Sequence, residues 1–368
     1  MSDFGLYIHI PFCAKKCLYC DFVSFPGRGA SEMERYTEVL ISEIRAKAAE
    51  YKEKTVSSIF LGGGTPSVLP ASCTKSILDA VFECFNVRGD AEITTEANPG
   101  TVDSEKLSAY KASGINRISF GLQSTVNEEL KKLGRIHTYE DFLRSYDMAK
   151  NAGFDNINID IMSALPGQSI ESYEETLRRV VGLNPAHISA YSLIIEEGTP
   201  FYDMYAGGAG LPSEDADREM YALTKRVLSE AGYKRYEISN YAKEGLECRH
   251  NCLYWERGEY LGLGLNASSF SGNVRWKNET DLNKYLEGRF LTRFEEEVLT
   301  RKDALSETMF LGLREMRGIL ETPEITAAYG KILDRQEKAG LILRKDGKIA
   351  LTDKGIDVSN MVFSDYIF

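Results

Sequence analysis

The chain of 368 residues is 43% hydrophobic and 27% charged, with a formal net charge of −11. That length accommodates one large α/β unit and a smaller appendage with its own core, and an acidic balance without any long Lys/Arg run excludes nucleic acid as a partner. No stretch is long and apolar enough to span a membrane, and the opening MSDFGLYIHIPFC lacks the basic-then-apolar pattern of a secretory leader, so cytoplasm is the expected compartment, with a place at the membrane periphery left open.

In chain order, LYIHI (6–10) reads as a first strand, and residues 31–52 repeat apolar positions at three and four, as an amphipathic helix does. VSSIFLGGG (56–64) follows as a strand ending in glycines. The pattern repeats with AEITTEANPG, INRISFGLQS, FDNINIDIMSALPG and AHISAYSLII, separated by helical stretches near 72–85, 103–112, 139–152 and 170–182. Six strands, each followed by a helix, imply a parallel sheet with crossover helices. The polar and glycine-rich segments GGGTP, EANP, GLQS and LPGQ fall at the C-terminal strand ends, the rim on which barrels of this type build sites. Beyond residue 212 a helix and a strand follow; CRHNCLYWERGEYLGLGLNASSF is aromatic and glycine-rich, and from about 296 the chain reads as a small helical unit with a hairpin wing near GKIALTDKGI. The expected division is 1–242 barrel core with extension, 243–295 connecting segment and 296–368 small C-terminal domain.

The most informative feature is Cys13-x3-Cys17-x2-Cys20. The seven cysteines are odd in number and clustered, which in a reducing compartment points to metal binding rather than a disulfide framework. Three thiolates suit an iron–sulfur cube and leave one iron open for a substrate or cofactor. Structural zinc wants four protein ligands, and no fourth Cys or His is suitably placed; His9 can equally be a packing residue. Reduced core cysteines are the plainer alternative.

With its aromatic residue before the last cysteine, this motif resembles the radical S-adenosylmethionine (SAM) superfamily. YIHIPFC, LGGGTPS, EANPGT, RISFGLQS, DIMSALPGQ and RHNCLYW together resemble the oxygen-independent coproporphyrinogen III oxidase group over nearly the whole chain, and most of all its haem chaperones. The resemblance implies a partial (β/α)6 barrel followed by a small, mainly helical, winged-helix-like C-terminal domain. It implies a [4Fe-4S] cluster on Cys13, Cys17 and Cys20, with SAM on the fourth iron and one-electron cleavage to a 5′-deoxyadenosyl radical. It also implies a SAM site of Tyr7, Tyr19, Gly63, Gly64, Thr65, Glu96, Gln123, Arg135, Asp160 and Ile194. On the residues alone, the glycines permit close backbone approach, buried Glu96, Gln123 and Asp160 need polar partners, and Arg135 offers a carboxylate a paired contact. A structural salt-bridge ring at the rim is the alternative for the carboxylates.

Cys248, His250 and Cys252 alternate, so an extended segment would point all three to one side. His is a common haem ligand, yet a packed histidine, a core Tyr-Trp pair or a zinc site reads equally well. The resemblance sharpens this: His250, Asn251, Tyr254 and Trp255 match the HNxxYW signature associated with haem. The cysteines lie outside that signature.

Two departures separate the chain from the oxidases it resembles. Their further cysteine, two residues after the triad, is Phe22 here, and only six residues precede Tyr7 where they carry an extension. A haem chaperone is therefore the expected function, delivering haem to acceptor proteins, membrane respiratory components among them; the alternatives are a coproporphyrinogen III oxidase or another radical SAM enzyme acting on a tetrapyrrole. A homodimer is left open. Residues 314–342 are shorter than the corresponding part of the family, and the tail NMVFSDYIF is apolar enough to pack on its own domain or to touch a partner or membrane.

Overall fold

A computed structural model describes residues 3–367; Phe368, the last residue of the apolar tail, lies outside them. Six strands carry the barrel: β1 (Asp3–Ile10), β2 (Thr55–Gly63), β3 (Asn86–Ala97), β4 (Arg117–Gln123), β5 (Asn156–Ser163) and β6 (His187–Ser192). Each pairs in parallel with the next. Between them run α1 (Ala30–Ala48), α2 (Ala71–Cys84), α3 (Ser104–Ala112), α4 (Tyr139–Asn151) and α5 (Ile170–Gly182), the crossovers that parallel pairing demands. Local chemistry sets their starts: Asp103 and Ser169 cap α3 and α5, and Thr138 with Asp141 forms a capping box on α4. The expected (β/α)6 arrangement is observed.

Alternation along the strands separates core from site. In β4, Ile118, Phe120 and Leu122 are fully buried in the main apolar core, while Arg117, Ser119, Gly121 and Gln123 line an interior cavity. The period of two in RISFGLQ is the cause.

The aromatic, glycine-rich stretch extends this sheet. After α6 (Glu214–Glu230) and the short strands β7 (Lys234–Arg235) and β8 (Asn240–Ala242), residues Arg249–Trp255 form helix α7. Strand β9 (Glu259–Leu263) then lies parallel beside β1, with Leu6 opposite Leu261, and continues through antiparallel β10 (Ser268–Ser271), β11 (Val274–Lys277) and β12 (Phe294–Val298). The twelve-stranded order is β12-β11-β10-β9-β1-β2-β3-β4-β5-β6-β8-β7.

The last residues build a second apolar core around Met309, Leu313, Tyr329, Leu333, Ile349 and Tyr366. Helices α8 (Arg301–Gly312) and α9 (Pro323–Lys338) pack with a three-stranded sheet of β13 (Ile319–Leu320), β15 (Lys348–Leu351) and β14 (Ile342–Lys345). The β14–β15 hairpin is the wing. In the tail, Val362, Phe363 and Tyr366 are buried and Met361 and Ile367 exposed. Among the described residues no helix is long and apolar enough to cross a membrane.

Candidate functional site

The loop after β1 carries the three thiols. Phe12–Cys13 pairs in parallel with Phe25–Pro26, the Leu18 amide donates to the Leu133 carbonyl at 3.0 Å, and the Leu18 carbonyl accepts from the Phe201 amide at 3.0 Å. His9 braces this loop from beneath. Its ring is bonded to the Tyr7 hydroxyl at 3.0 Å and to the Val23 carbonyl at 3.0 Å, and burial lowers its pKa to about 4. A neutral ring that donates to Val23 must accept from Tyr7, which assigns the tautomer. His9 is thus the packing and bracing residue that the sequence left open.

Cys13 is buried, Cys17 and Cys20 are half-buried, and all three are free thiols at one cavity of about 580 Å³. The Thr65 hydroxyl donates to Cys13 Sγ at 3.4 Å. No three His, Cys, Asp or Glu side chains among the described residues converge closely enough to hold a single metal ion. A cube places each thiolate on a different iron, so its ligands stand apart around a space. Three free thiols at one cavity are a donor set that fits an iron–sulfur cluster.

Every residue expected at the SAM site lines this same cavity: Tyr7, Tyr19, Gly63, Gly64, Thr65, Glu96, Gln123, Arg135, Asp160 and Ile194. Gly63 has φ +111°, and a Cβ there would lie 2.5 Å from the His9 ring, so no side chain is tolerated. Its amide donates to Glu96 Oε2 at 3.1 Å. Gln123 ends β4 at φ +73°, a conformation non-glycine residues rarely hold without a reason in the surrounding structure. Arg135 Nη1 donates to Asn98 Oδ1 at 2.7 Å and Nη2 to the Tyr19 hydroxyl at 2.9 Å. Its buried Nε has no partner, so three of its five donors are uncommitted. Asp160 accepts from Asn158 Nδ2 at 2.7 Å and from Ser119 Oγ at 3.3 Å. These aimed, partly unsatisfied groups fit a ligand carrying an ammonium, a carboxylate and hydroxyls. Ile194 is exposed on the rim.

Burial raises the Glu96 pKa to about 8, with nearby Asp160 pushing the same way; burial also raises Asp160. Below its ordinary 4.5 Glu96 is protonated folded or unfolded, and between there and about 8 only the folded chain keeps the proton. The Glu96 contribution to stability is therefore fully present below 4.5 and is lost as pH rises towards about 8. The melting temperature of Glu96→Gln is expected to gain on that of the wild-type ligand-free chain from pH 5 to 8, because only the wild type loses the Glu96 contribution there; a difference that does not change with pH would refute the assignment.

The four HNxxYW residues are not gathered in the same way. Contrary to the extended reading, residues Arg249–Trp255 are helical, so Cys248, His250 and Cys252 do not share a side. The cause is distant in sequence: buried Glu92 on β3 accepts the amides of Arg249 at 3.1 Å and His250 at 3.2 Å, satisfying the first turn of α7. Asn251 lines the cavity. His250 lies behind its wall, 1% exposed, stacked on Phe60 at 5.3 Å. Its Nδ1 is bonded to Ser58 Oγ at 2.9 Å and its Nε2 to the Tyr254 hydroxyl at 2.8 Å. Burial, aided by Arg117, lowers its pKa to about 3. Trp255 packs beneath the Arg314 guanidinium at 4.4 Å.

The cavity also contains groups that sequence reasoning passed over: Phe60, Arg117, Ser119, Asn158, Ser189 and Tyr191. For Arg117 and Ser119 the signal was present, since they share the inward parity of Gln123 in RISFGLQ.

Residues 7–180 match the family described as the Radical SAM superfamily. A protein of Lactococcus lactis subsp. lactis named heme chaperone HemW is 36% identical, covering 98% of this chain and 96% of its own length. The heme chaperone HemW of Bacillus subtilis is 34% identical, covering 98% of each chain, and that of Escherichia coli is 42% identical over 73% of this chain and 70% of its own. Among solved structures, the coproporphyrinogen III oxidase HemN of Escherichia coli, described as a radical SAM enzyme, superposes with a TM-score of 0.86 at 25% identity, covering 99% of this chain and 90% of its own.

Proposed function

Because this chain belongs to the radical SAM superfamily and, within it, to the family of the heme chaperones HemW, we propose that it is a cytoplasmic haem chaperone that binds haem, a [4Fe-4S] cluster and SAM and delivers haem to acceptor proteins. The observation that carries the reading is the single cavity that brings three free thiols together with all ten residues expected for SAM, in a chain whose full-length relatives bear the chaperone name. We assign the cluster to Cys13, Cys17 and Cys20. A cluster and SAM, when bound, supply one-electron reductive chemistry.

The protein's part is positional. His9 and the Phe12–Phe25 pairing hold the thiol loop against the barrel. Gly63, without a side chain, lets the main chain approach the ligand, and Glu96 and Asp160 present carboxyl groups to its ammonium and hydroxyls. Arg135, steadied by Asn98 and Tyr19, turns its uncommitted donors to the ligand's carboxylate. A charge-assisted contact of this kind contributes about 1.5–3 kcal/mol, so Arg135→Ala is expected to weaken SAM binding to the reconstituted protein roughly ten- to hundredfold. Unchanged affinity would remove Arg135 from the site.

The three-unit division at 242 and 295 is also our reading, supported at its last boundary by the separate apolar core of the C-terminal helices. A second reading, coproporphyrinogen III oxidase, is favoured by the likeness to HemN and opposed by Phe22, which lines the cavity mouth 63% exposed. One experiment separates them: anaerobic incubation of the reconstituted chain with coproporphyrinogen III, SAM and reductant, beside transfer of bound haem to an apo-haem protein. Haem transfer without decarboxylation is expected; multiple turnovers to protoporphyrinogen would overturn the chaperone reading.

A further inference from the structure

The floor of the cavity holds a cation that the SAM site does not use. Arg117 opens β4, six residues before Gln123, which places its backbone about 20 Å deeper along the strand. It is 2% exposed yet lines the cavity. A guanidinium has five N–H donors and stays charged, and buried polar groups are satisfied in the great majority of cases. The Arg117 side chain forms no hydrogen bond with any described residue, its Nε is buried without a partner, and Glu92 and Asp160 act on it through their charge.

Its acidic neighbours are engaged elsewhere. Glu92 accepts from Cys248 Sγ and from the amides of Arg249 and His250. Asp160 accepts from Asn158 and Ser119. Asn158 in turn bonds His187, whose other nitrogen meets the Tyr236 hydroxyl at 2.8 Å. The hydrogen bonds of this network run among its other members, and Glu92 and Asp160 reach the guanidinium through their charge rather than by a hydrogen bond. In register beside it, the buried Thr94 hydroxyl also lacks a partner. The carboxylates of Glu92 and Asp160 keep the region from being strongly positive, while the unfilled donors ask for an acceptor of matching shape.

We propose that Arg117 is a carboxylate-binding residue: the cavity floor receives a carboxylate side chain of the ligand that enters beside SAM. A carboxylate matches the planar donor fork in a bidentate manner, which a single ammonium cannot reproduce. That this carboxylate is a propionate of the haem macrocycle rests on the chaperone reading.

Two probes test it on the cluster-reconstituted full chain. The first is sodium propionate, followed by melting temperature. A saturable rise in wild type, reduced in Arg117→Lys and absent in Arg117→Gln, is expected. The second compares haem with its dimethyl ester by optical titration. Wild type should prefer the free acid roughly tenfold and Arg117→Gln should show no preference, with SAM affinity unchanged in both. A propionate response without ester discrimination supports the site and assigns it to a small carboxylate, overturning the haem propionate. Absence of both effects in wild type, or their persistence in Arg117→Gln, overturns the proposal. Failure of wild type to bind haem overturns the chaperone reading alone, because the propionate arm still decides Arg117. If Arg117→Gln does not fold, Arg117→Lys, which keeps the charge but not the planar fork, decides instead: undiminished propionate and ester responses there overturn the proposal.

Discussion

Cys17→Ser is expected to abolish the cluster while leaving the fold intact. After anaerobic reconstitution the wild-type chain should carry about four irons and the broad visible absorption of iron–sulfur charge transfer, and the variant less than one. A serine hydroxyl is a hard donor that stays protonated at neutral pH, and soft thiolate is what iron–sulfur clusters select. The structural cost is small. Cys17 is half-buried, and the loop is held by main-chain bonds that serine preserves, including Cys20 to the Cys17 carbonyl and Leu18 to Leu133. Stability should move by no more than about 0.5 kcal/mol. Cys252→Ser is the control, a thiol outside the cavity lining, and should retain full iron. Equal iron in Cys17→Ser and wild type would refute the cluster assignment.

His250→Ala should be among the most destabilising single substitutions in the barrel. It removes a fully buried ring, leaves a void against Phe60 and strands the Ser58 and Tyr254 hydroxyls. Together these predict a loss of about 2–4 kcal/mol, measured by denaturant unfolding. The same geometry sharpens the haem question. Burial holds the ring neutral, the form that ligates iron, but both nitrogens are bonded within the protein. Ligation through Nε2 requires Tyr254 to let go. A neutral hydrogen bond contributes about 1 kcal/mol, so Tyr254→Phe should tighten haem binding roughly fivefold if His250 is the axial ligand. In that case the optical signature of histidine ligation disappears in His250→Ala. A haem spectrum and affinity that change in neither variant would leave His250 a purely structural residue.

The elements that could be read from the chain are those whose cause is local. The six parallel strands and their helices follow from apolar alternation and from capping residues such as Thr138 and Ser169. The thiol triad and the polar strand ends sit within short motifs, and the rim they predict is the observed cavity mouth. Strand β9 was not legible, because Glu-Tyr-Leu-Gly-Leu becomes a strand only through its pairing with β1. That residues Arg249–Trp255 form helix α7 was not legible for a similar reason, since its first turn is satisfied by Glu92, more than 150 residues away.

By itself, then, the sequence determined the chemistry: which thiols can hold a cluster, which strand ends carry acids and amides, and where a histidine signature stands. Only the tertiary structure decided which of these groups reach the cavity and which are already bonded elsewhere. Spacing within one strand or helix determines direction but not partners, and hydrogen-bond saturation depends on groups brought from distant segments. That is why Arg117, an ordinary strand residue in the sequence, emerges as the unsatisfied guanidinium at the barrel floor, while His250, prominent in its motif, is bonded at both ring nitrogens.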